Sequence, residues 1–327
     1  MSGKLRIGII GCGDFLRLRA ADLLSSQQVE VKLLYSPVNS ANAERYAEIF
    51  GAKAADSPEA IINDPEIDVV CVFVPPFVRK EYVLAAAKAG KQIVATKPLA
   101  ADLSDAREMT EAVEQAGVRC GVIYRRTNNP VIEAYKEIFS GGEFGKLALY
   151  KQDWLHHYPT WNRWATDPKK NGGPFMDAML HNLNAARYLM GRRVVGRAFF
   201  SDDHTHSLAC DDTQFLKVDF EQGASAHLFI TWAAELAVYD SAKNDREHID
   251  QCFMVTDQGW LFRNEIREGK AVITATRNGL EKDFPVIPFE ETFFDRYAKE
   301  IKNRDILPAD LPDIREAYED LRILLEN

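Results

Sequence analysis

An apolar run, Leu5–Ile10, passes without a break into Gly11-Cys12-Gly13-Asp14-Phe15-Leu16, where a helical pattern begins at once. No other stretch restricts the fold as much. A glycine turn that carries a buried strand straight into a helix N-terminus is the opening of a βαβ unit on a parallel sheet. The rhythm then repeats. Short β-branched runs recur at Val29–Tyr35, Val69–Val74, Gln92–Ala95 and Val118–Ile123, with helical stretches near 14–25, 41–50, 78–90 and 104–116 between them. The runs are almost continuously apolar, as expected where helices cover both faces of a sheet. Residues 1–123 are therefore predicted to form a doubly wound α/β domain.

After Tyr124 the pattern changes to alternation. Leu216, Val218 and Phe220 oppose Lys217 and Asp219, and Ala224, Ala226, Leu228, Ile230 and Trp232 oppose Ser225, His227 and Thr231. Alternation at period two describes strands with one core face, so a largely antiparallel open sheet is expected. Further strands are predicted near 146–154, 196–201, 252–256 and 271–276, and helices at 174–190, 290–303 and 312–325. The second domain is thus taken as α+β over residues 124–327. A chain of 327 residues fits about two domains at the usual size.

The charge balance, 40 Lys plus Arg against 49 Asp plus Glu, has the wrong sign for a phosphate-backbone binder, so nucleic acid is not an expected partner. Five scattered cysteines without a Cys-x-x-Cys pair suggest neither a disulfide framework nor a zinc site. Nowhere do about 18 apolar residues follow one another, so no membrane contact is expected and a cytoplasmic location is the reading. His204-Thr205-His206 sits in a loop with no strand to fix both rings, and no metal is expected.

The glycine loop points to a dinucleotide. Gly11 permits the tight turn, Gly13 lets the backbone approach a pyrophosphate, and the amides at Asp14 and Phe15 open the helix that receives the anion. Leu16 replaces the usual third glycine, and should push helix and strand apart or tilt the helix. Ser36 stands at the end of the second strand, where an acid normally holds the adenosine ribose. Without that carboxylate the choice between NAD and NADP is open, and acceptance of NADP is expected. Pro75 and Thr96-Lys97-Pro98 end the next two main strands, at the edge where ligands sit in open α/β sheets. The Lys97–Pro98 bond is a candidate for the cis form. On the helix begun by Gly172-Gly173-Pro174, Asp177, His181, Asn184 and Tyr188 share one face. Solvated faces favour Lys and Glu, and this stripe has the residues of a site wall.

These features together resemble the glucose–fructose oxidoreductase and inositol dehydrogenase family, Gfo/Idh/MocA. The resemblance rests on Gly11 and Gly13, Lys97-Pro98, Gly-Gly-Pro followed by Asp177-x-x-x-His181, and Asp211-Asp212-Thr213, and it spans essentially the whole chain. It implies a Rossmann domain, a C-terminal open sheet used for oligomerisation, and an oxidoreductase that transfers hydride between NAD or NADP and a sugar-like or polyol substrate. Lys97, Asp177 and His181 map onto the catalytic positions. Gly11, Gly13, Asp14, Phe15, Ser36, Pro75, Arg79, Thr96, Lys97 and Trp164 are assigned to the cofactor, Arg79 standing where a histidine is common and Trp164 covering the nicotinamide. A homodimer or homotetramer is expected. The alternative from another class is a non-catalytic dinucleotide-binding sensor or partner protein.

Overall fold

The computed structural model describes residues 3–160, 164–237, 248–303 and 311–326. Its first unit comprises residues 1–128 together with 289–327, and its second comprises 129–288.

In the first unit the chain runs β1 (Leu5–Ile10), α1 (Asp14–Ser25), β2 (Val29–Tyr35), α2 (Ser40–Phe50), β3 (Lys53–Ala54), α3 (Pro58–Ile62), β4 (Val69–Val72), α4 (Lys80–Lys88), β5 (Gln92–Thr96), α5 (Leu103–Ala116) and β6 (Cys120–Ile123). The parallel strands take the order β3-β2-β1-β4-β5-β6, so the polypeptide reverses direction across the sheet between β1 and β4. The predicted doubly wound domain is present. One edge strand was missed because β3 has only two residues, both exposed.

The second unit holds α6 (Pro130–Ser140), β7 (Leu147–Leu155), a π-helical turn (Phe175–Met179), α7 (Leu180–Met190), β8 (Val194–Asp202), β9 (Thr213–Phe220), β10 (Ser225–Thr231), β11 (Ile249–Thr256), β12 (Leu261–Arg267), β13 (Lys270–Arg277) and β14 (Leu280–Pro285). Its eight strands are ordered β14-β13-β12-β11-β7-β10-β9-β8, antiparallel except for the parallel β10–β7 pair. The alternation was read correctly, since Leu216, Val218, Leu228 and Ile230 are fully buried on one face. The missed strands β12 and β14 are exposed on both faces over most of their length, so they carry no alternation.

One expectation needs correction: residues 289–327 do not belong with the second domain. The chain returns to the first unit as α8 (Phe293–Lys302) and α9 (Ile314–Leu325). The reason is apolar burial. Phe293, Phe294, Tyr297 and Ile301 enter the same core cluster as Ile7, Val31, Val69 and Val94 of the parallel sheet. Gly121 on β6 makes room for this helix, because a Cβ there would lie 2.6 Å from the Tyr297 ring. Arg119 adds ion pairs to Glu300 at 3.0 Å and Asp313 at 3.1 Å.

Asp295 pins α8 to the turn after α1. Its carboxylate accepts from Ser26 Oγ at 2.6 Å, the amides of Gln27 and Gln28 at 2.9 and 3.0 Å, and the Thr292 hydroxyl at 2.8 Å. Burial pushes this carboxyl up, but the bonds from Ser26, Thr292 and the Gln28 amide outweigh it and hold the group below its ordinary value. A depressed folded-state pKa contributes stability that is present above the unfolded value, about 3.9, and is lost as the pH falls below it. Asp295→Ala is expected to cost about 3 kcal/mol at pH 7, since hydrogen bonds to a charged group contribute about 1.5–3 kcal/mol each. Urea denaturation at pH 7 and pH 3 checks this: the gap between wild type and variant narrows at the lower pH.

Candidate active site

In the first unit the predicted cofactor residues gather on one edge. Gly11, Ser36, Pro75 and Lys97 follow the carboxyl ends of β1, β2, β4 and β5, which are parallel neighbours. Gly11 has φ of +106°, and a Cβ there would stand 2.7 Å from the Phe73 carbonyl, so only glycine passes between β1 and the end of β4. Its amide donates to the Tyr35 carbonyl at 2.8 Å, which ties the loop to the residue before Ser36. Gly13 caps α1 with no side-chain hydrogen bond, and a Cβ built on it would meet nothing within 4 Å. The N-terminus of α1 thus has no side chain capping it and has free room beside Gly13, an arrangement that suits an anion. Leu16 does not obstruct this opening: its side chain is fully buried in the core of the unit. Phe15 packs edge-on against Phe73 at 5.0 Å. These residues fit a dinucleotide. Arg17 and Arg19 pair with Asp14 and Asp22 along the helix.

Arg79 is a second correction, because its side chain turns inward and is 1% exposed. Nη1 donates to the carbonyls of Thr96 at 2.6 Å, Leu99 at 3.0 Å and Pro98, while Nη2 donates to the Val74 carbonyl at 2.7 Å and Thr96 Oγ1 at 2.6 Å. The guanidinium thus holds the turn on either side of Lys97, and its terminal nitrogens are committed to the protein's own oxygens. Thr96 belongs to the same lock, with its hydroxyl turned to Arg79 and only 7% of the residue exposed. Burial pushes the guanidinium down to about 9, which leaves it charged at neutral pH. The Lys97–Pro98 bond is cis, as expected, and Lys97 itself is half-buried.

In the second unit the helix carrying Asp177 and His181 is not a plain α-helix. Residues Phe175–Met179 form a π turn, and the Leu180 amide donates back to the Phe175 carbonyl five residues earlier. Such turns widen a helix locally and often accompany functional sites. The turn is held at its start by Gln214 Oε1, which accepts from the Phe175 amide at 2.8 Å. Gly173, at φ of +100°, packs against Cys210 and Asp211, where a Cβ would already be 3.4 Å from the thiol. Asp177 and His181 are half-buried and Asn184 is fully buried, so the polar stripe is not a solvated face. Tyr188 serves packing instead: its hydroxyl donates to Glu133 on α6 at 2.8 Å. His156, beside this region in sequence, is 3% exposed, and burial pushes its imidazole down to about 4. Trp164 is half-buried, whereas Trp161-Asn162-Arg163 lies outside the described residues. Sequence reasoning missed Gln214 and the Arg79 lock; neither has a local spacing signal.

Residues 5–124 match the oxidoreductase family with an NAD-binding Rossmann fold of GFO/IDH/MocA type, and residues 132–245 match the GFO/IDH/MocA C-terminal domain. The scyllo-inositol 2-dehydrogenase (NAD(+)) of Bacillus subtilis is 25% identical over 313 residues, 93% of this chain and 86% of that protein. The myo-inositol 2-dehydrogenase of Thermotoga maritima is 27% identical over 306 residues, 91% of this chain and 86% of that protein. Among solved structures, the 3-ketoreductase KijD10 of Actinomadura kijaniata, crystallised with NADP and TDP-benzene, superposes with a TM-score of 0.77 at 17% identity, covering 98% of this chain and 95% of that one. With both domain signatures in sequence order on a parallel sheet and an open antiparallel one, the chain belongs to the Gfo/Idh/MocA family of NAD(P)-dependent oxidoreductases.

Proposed function

We propose that the protein transfers hydride between a nicotinamide dinucleotide and a secondary alcohol or carbonyl of a sugar, polyol or related small molecule. The observation that carries this reading is the half-buried pair formed by Asp177 on the π turn and His181 on α7 directly after it, with a fully buried Asn184 on the same helix. The nicotinamide, when bound, supplies the hydride donor or acceptor. His181 takes the proton from the substrate hydroxyl, and returns it in the reverse direction, because an imidazole exchanges protons near neutrality. Lys97 supplies an ammonium that favours the anionic form of a reacting oxygen. Asp177 orients the substrate or the imidazole. Gly11, Gly13, Asp14 and Phe15 receive the pyrophosphate, Ser36 and Pro75 flank the adenosine and nicotinamide ends, and Trp164 covers the nicotinamide. The relatives named for inositols make inositols the first substrates to try. The test identifies by mass the dinucleotide carried by purified protein and follows its reduction with inositols and aldoses. A bound dinucleotide without turnover on any of them would favour the sensor reading.

Cofactor choice follows from Ser36. A carboxylate there would hold the ribose hydroxyls and repel a 2′-phosphate, so its absence removes both effects. NADP(H) is expected to bind within about tenfold of NAD(H), or 1.4 kcal/mol. Ser36→Asp should weaken NADP(H) specifically in titrations with both cofactors, and a wild-type preference for NAD(H) above ~100-fold would defeat the argument.

Assembly is expected through the outer face of the second unit's sheet. Phe200, Phe215 and Phe229 stand side by side across β8, β9 and β10, and Phe200 is 58% exposed. Phe215 and Phe229 share a cleft of about 430 Å³ with Leu155 and Ile249, rimmed by Lys151 and Asp153. An apolar row of this size is unusual on a monomer. Light scattering should give a dimer or tetramer, and Phe215→Lys should shift it toward monomer.

A further inference from the structure

We propose that His157, His206 and Glu235 bind one divalent transition-metal ion of the zinc class. Each offers one ligand atom, and the three atoms lie within 4.8 Å of one another. His157 Nε2 is 3.6 Å from one oxygen of Glu235, and His206 Nε2 is 3.8 Å from the other. Two ligands of a tetrahedral zinc ion at about 2.0–2.1 Å stand ~3.3 Å apart, so an ion closes these gaps with small side-chain movements. Two imidazoles and one carboxylate leave a fourth position for water, the donor set of an open zinc site.

The rings are held in place by the fold. His157 Nδ1 lies 2.9 Å from the Tyr158 carbonyl, an acceptor only, so this nitrogen carries the proton and Nε2 presents its lone pair toward Glu235. A backbone carbonyl on the far nitrogen is the usual outer partner of a metal-bound histidine. The His157 amide also donates to the Leu236 carbonyl at 2.8 Å, which ties it to the segment that carries Glu235. His206 sits in the loop between β8 and β9, where the reading from sequence saw nothing to fix a ring. Asp212 fixes it. Its carboxylate, in a fully buried residue, accepts from the amides of His204, Thr205 and His206 at 3.2, 2.9 and 3.1 Å. His206 is left with a side chain only 14% exposed. Tyr158 packs on both rings, with centroids at 4.1 Å from His157 and 5.0 Å from His206.

Without an ion, His206 Nε2 donates to the Trp232 carbonyl at 3.0 Å. Binding requires the ring to turn away from that carbonyl and the proton to pass to Nδ1, with no net proton release. The ion would cross-link three separate segments, those following β7, β8 and β10.

The test uses the full chain with any histidine tag removed, stripped with EDTA and titrated with Co²⁺ under visible absorption, then displaced by Zn²⁺. One ion per chain and a rise in Tm with Zn²⁺ are expected. His157→Gln and His206→Gln should each weaken binding by about 100-fold, at the upper end of what loss of an outer partner alone costs. His204→Gln, at an exposed ring of the same loop, should change nothing. Glu235→Gln guards against misfolding, since the Glu235 side chain is 73% exposed, and it should also weaken binding. Wild-type protein that takes up no Co²⁺, or binding that survives these three substitutions, would overturn the site.

Discussion

Arg79→Met is expected to lose about 4 kcal/mol of stability, a large share of the ~5–15 kcal/mol that folded domains have, with a matching fall in the urea midpoint. The methionine stem can fill most of the space, so the loss comes from polar groups. Four backbone carbonyls and the Thr96 hydroxyl now accept from the guanidinium at a site almost closed to water. A buried acceptor left unmet costs roughly 1–3 kcal/mol, and water can enter to serve only some of them. Arg79→Lys should recover little, because one ammonium cannot reach across the fork that a planar guanidinium spans. The oxygens concerned flank Lys97, so any variant that still folds should also bind dinucleotide poorly. Equilibrium unfolding and a dinucleotide titration on the same preparations separate these two effects. A midpoint unchanged in Arg79→Met would show that the lock contributes nothing.

The largest effects on turnover should come from His181 and Lys97. His181→Ala is expected to lower kcat about 10²–10⁴-fold, the range for a positioned acid or base, with dinucleotide affinity nearly unchanged. Lys97→Ala should be nearly inactive, and Lys97→Arg poor, since a compact ammonium at one oxygen is not replaced by a planar fork. Steady-state rates on a substrate turned over by the wild type, with dinucleotide binding measured separately, decide the matter. Turnover preserved in His181→Ala would remove that residue from the mechanism.

How far the sequence could be read depended on whether a signal was local. The junction at Ile10-Gly11-Cys12-Gly13 is local, and so is the alternation from Thr213 to Thr231; both were legible and both are found in the fold. The helix expected at 290–303 is found as α8, but the core that Phe293, Phe294 and Tyr297 enter was not legible, since an apolar stripe carries no address. Arg79 was assigned to the cofactor because it stands where a histidine is common, and nothing local showed that its side chain turns inward. Its acceptors lie up to 20 residues further on, and only the folded path brings their oxygens together. The π turn at Phe175–Met179 was invisible for a related reason: its residues suit an α-helix equally well, and the Gln214 that holds its first amide comes from another strand. Strands β12 and β14 failed the period-two test because exposure on both faces places no apolar demand on alternate positions.

Because residues 289–327 complete a unit begun by residues 1–128, the part of the protein made first is finished last. At ~5–20 residues per second, the 160 intervening residues (129 through 288) occupy the ribosome for roughly 8–30 s. Throughout that interval the nascent parallel sheet lacks Phe293, Phe294, Tyr297 and Leu311 from its core. An apolar surface left open for so long is a natural client for chaperones that bind growing chains.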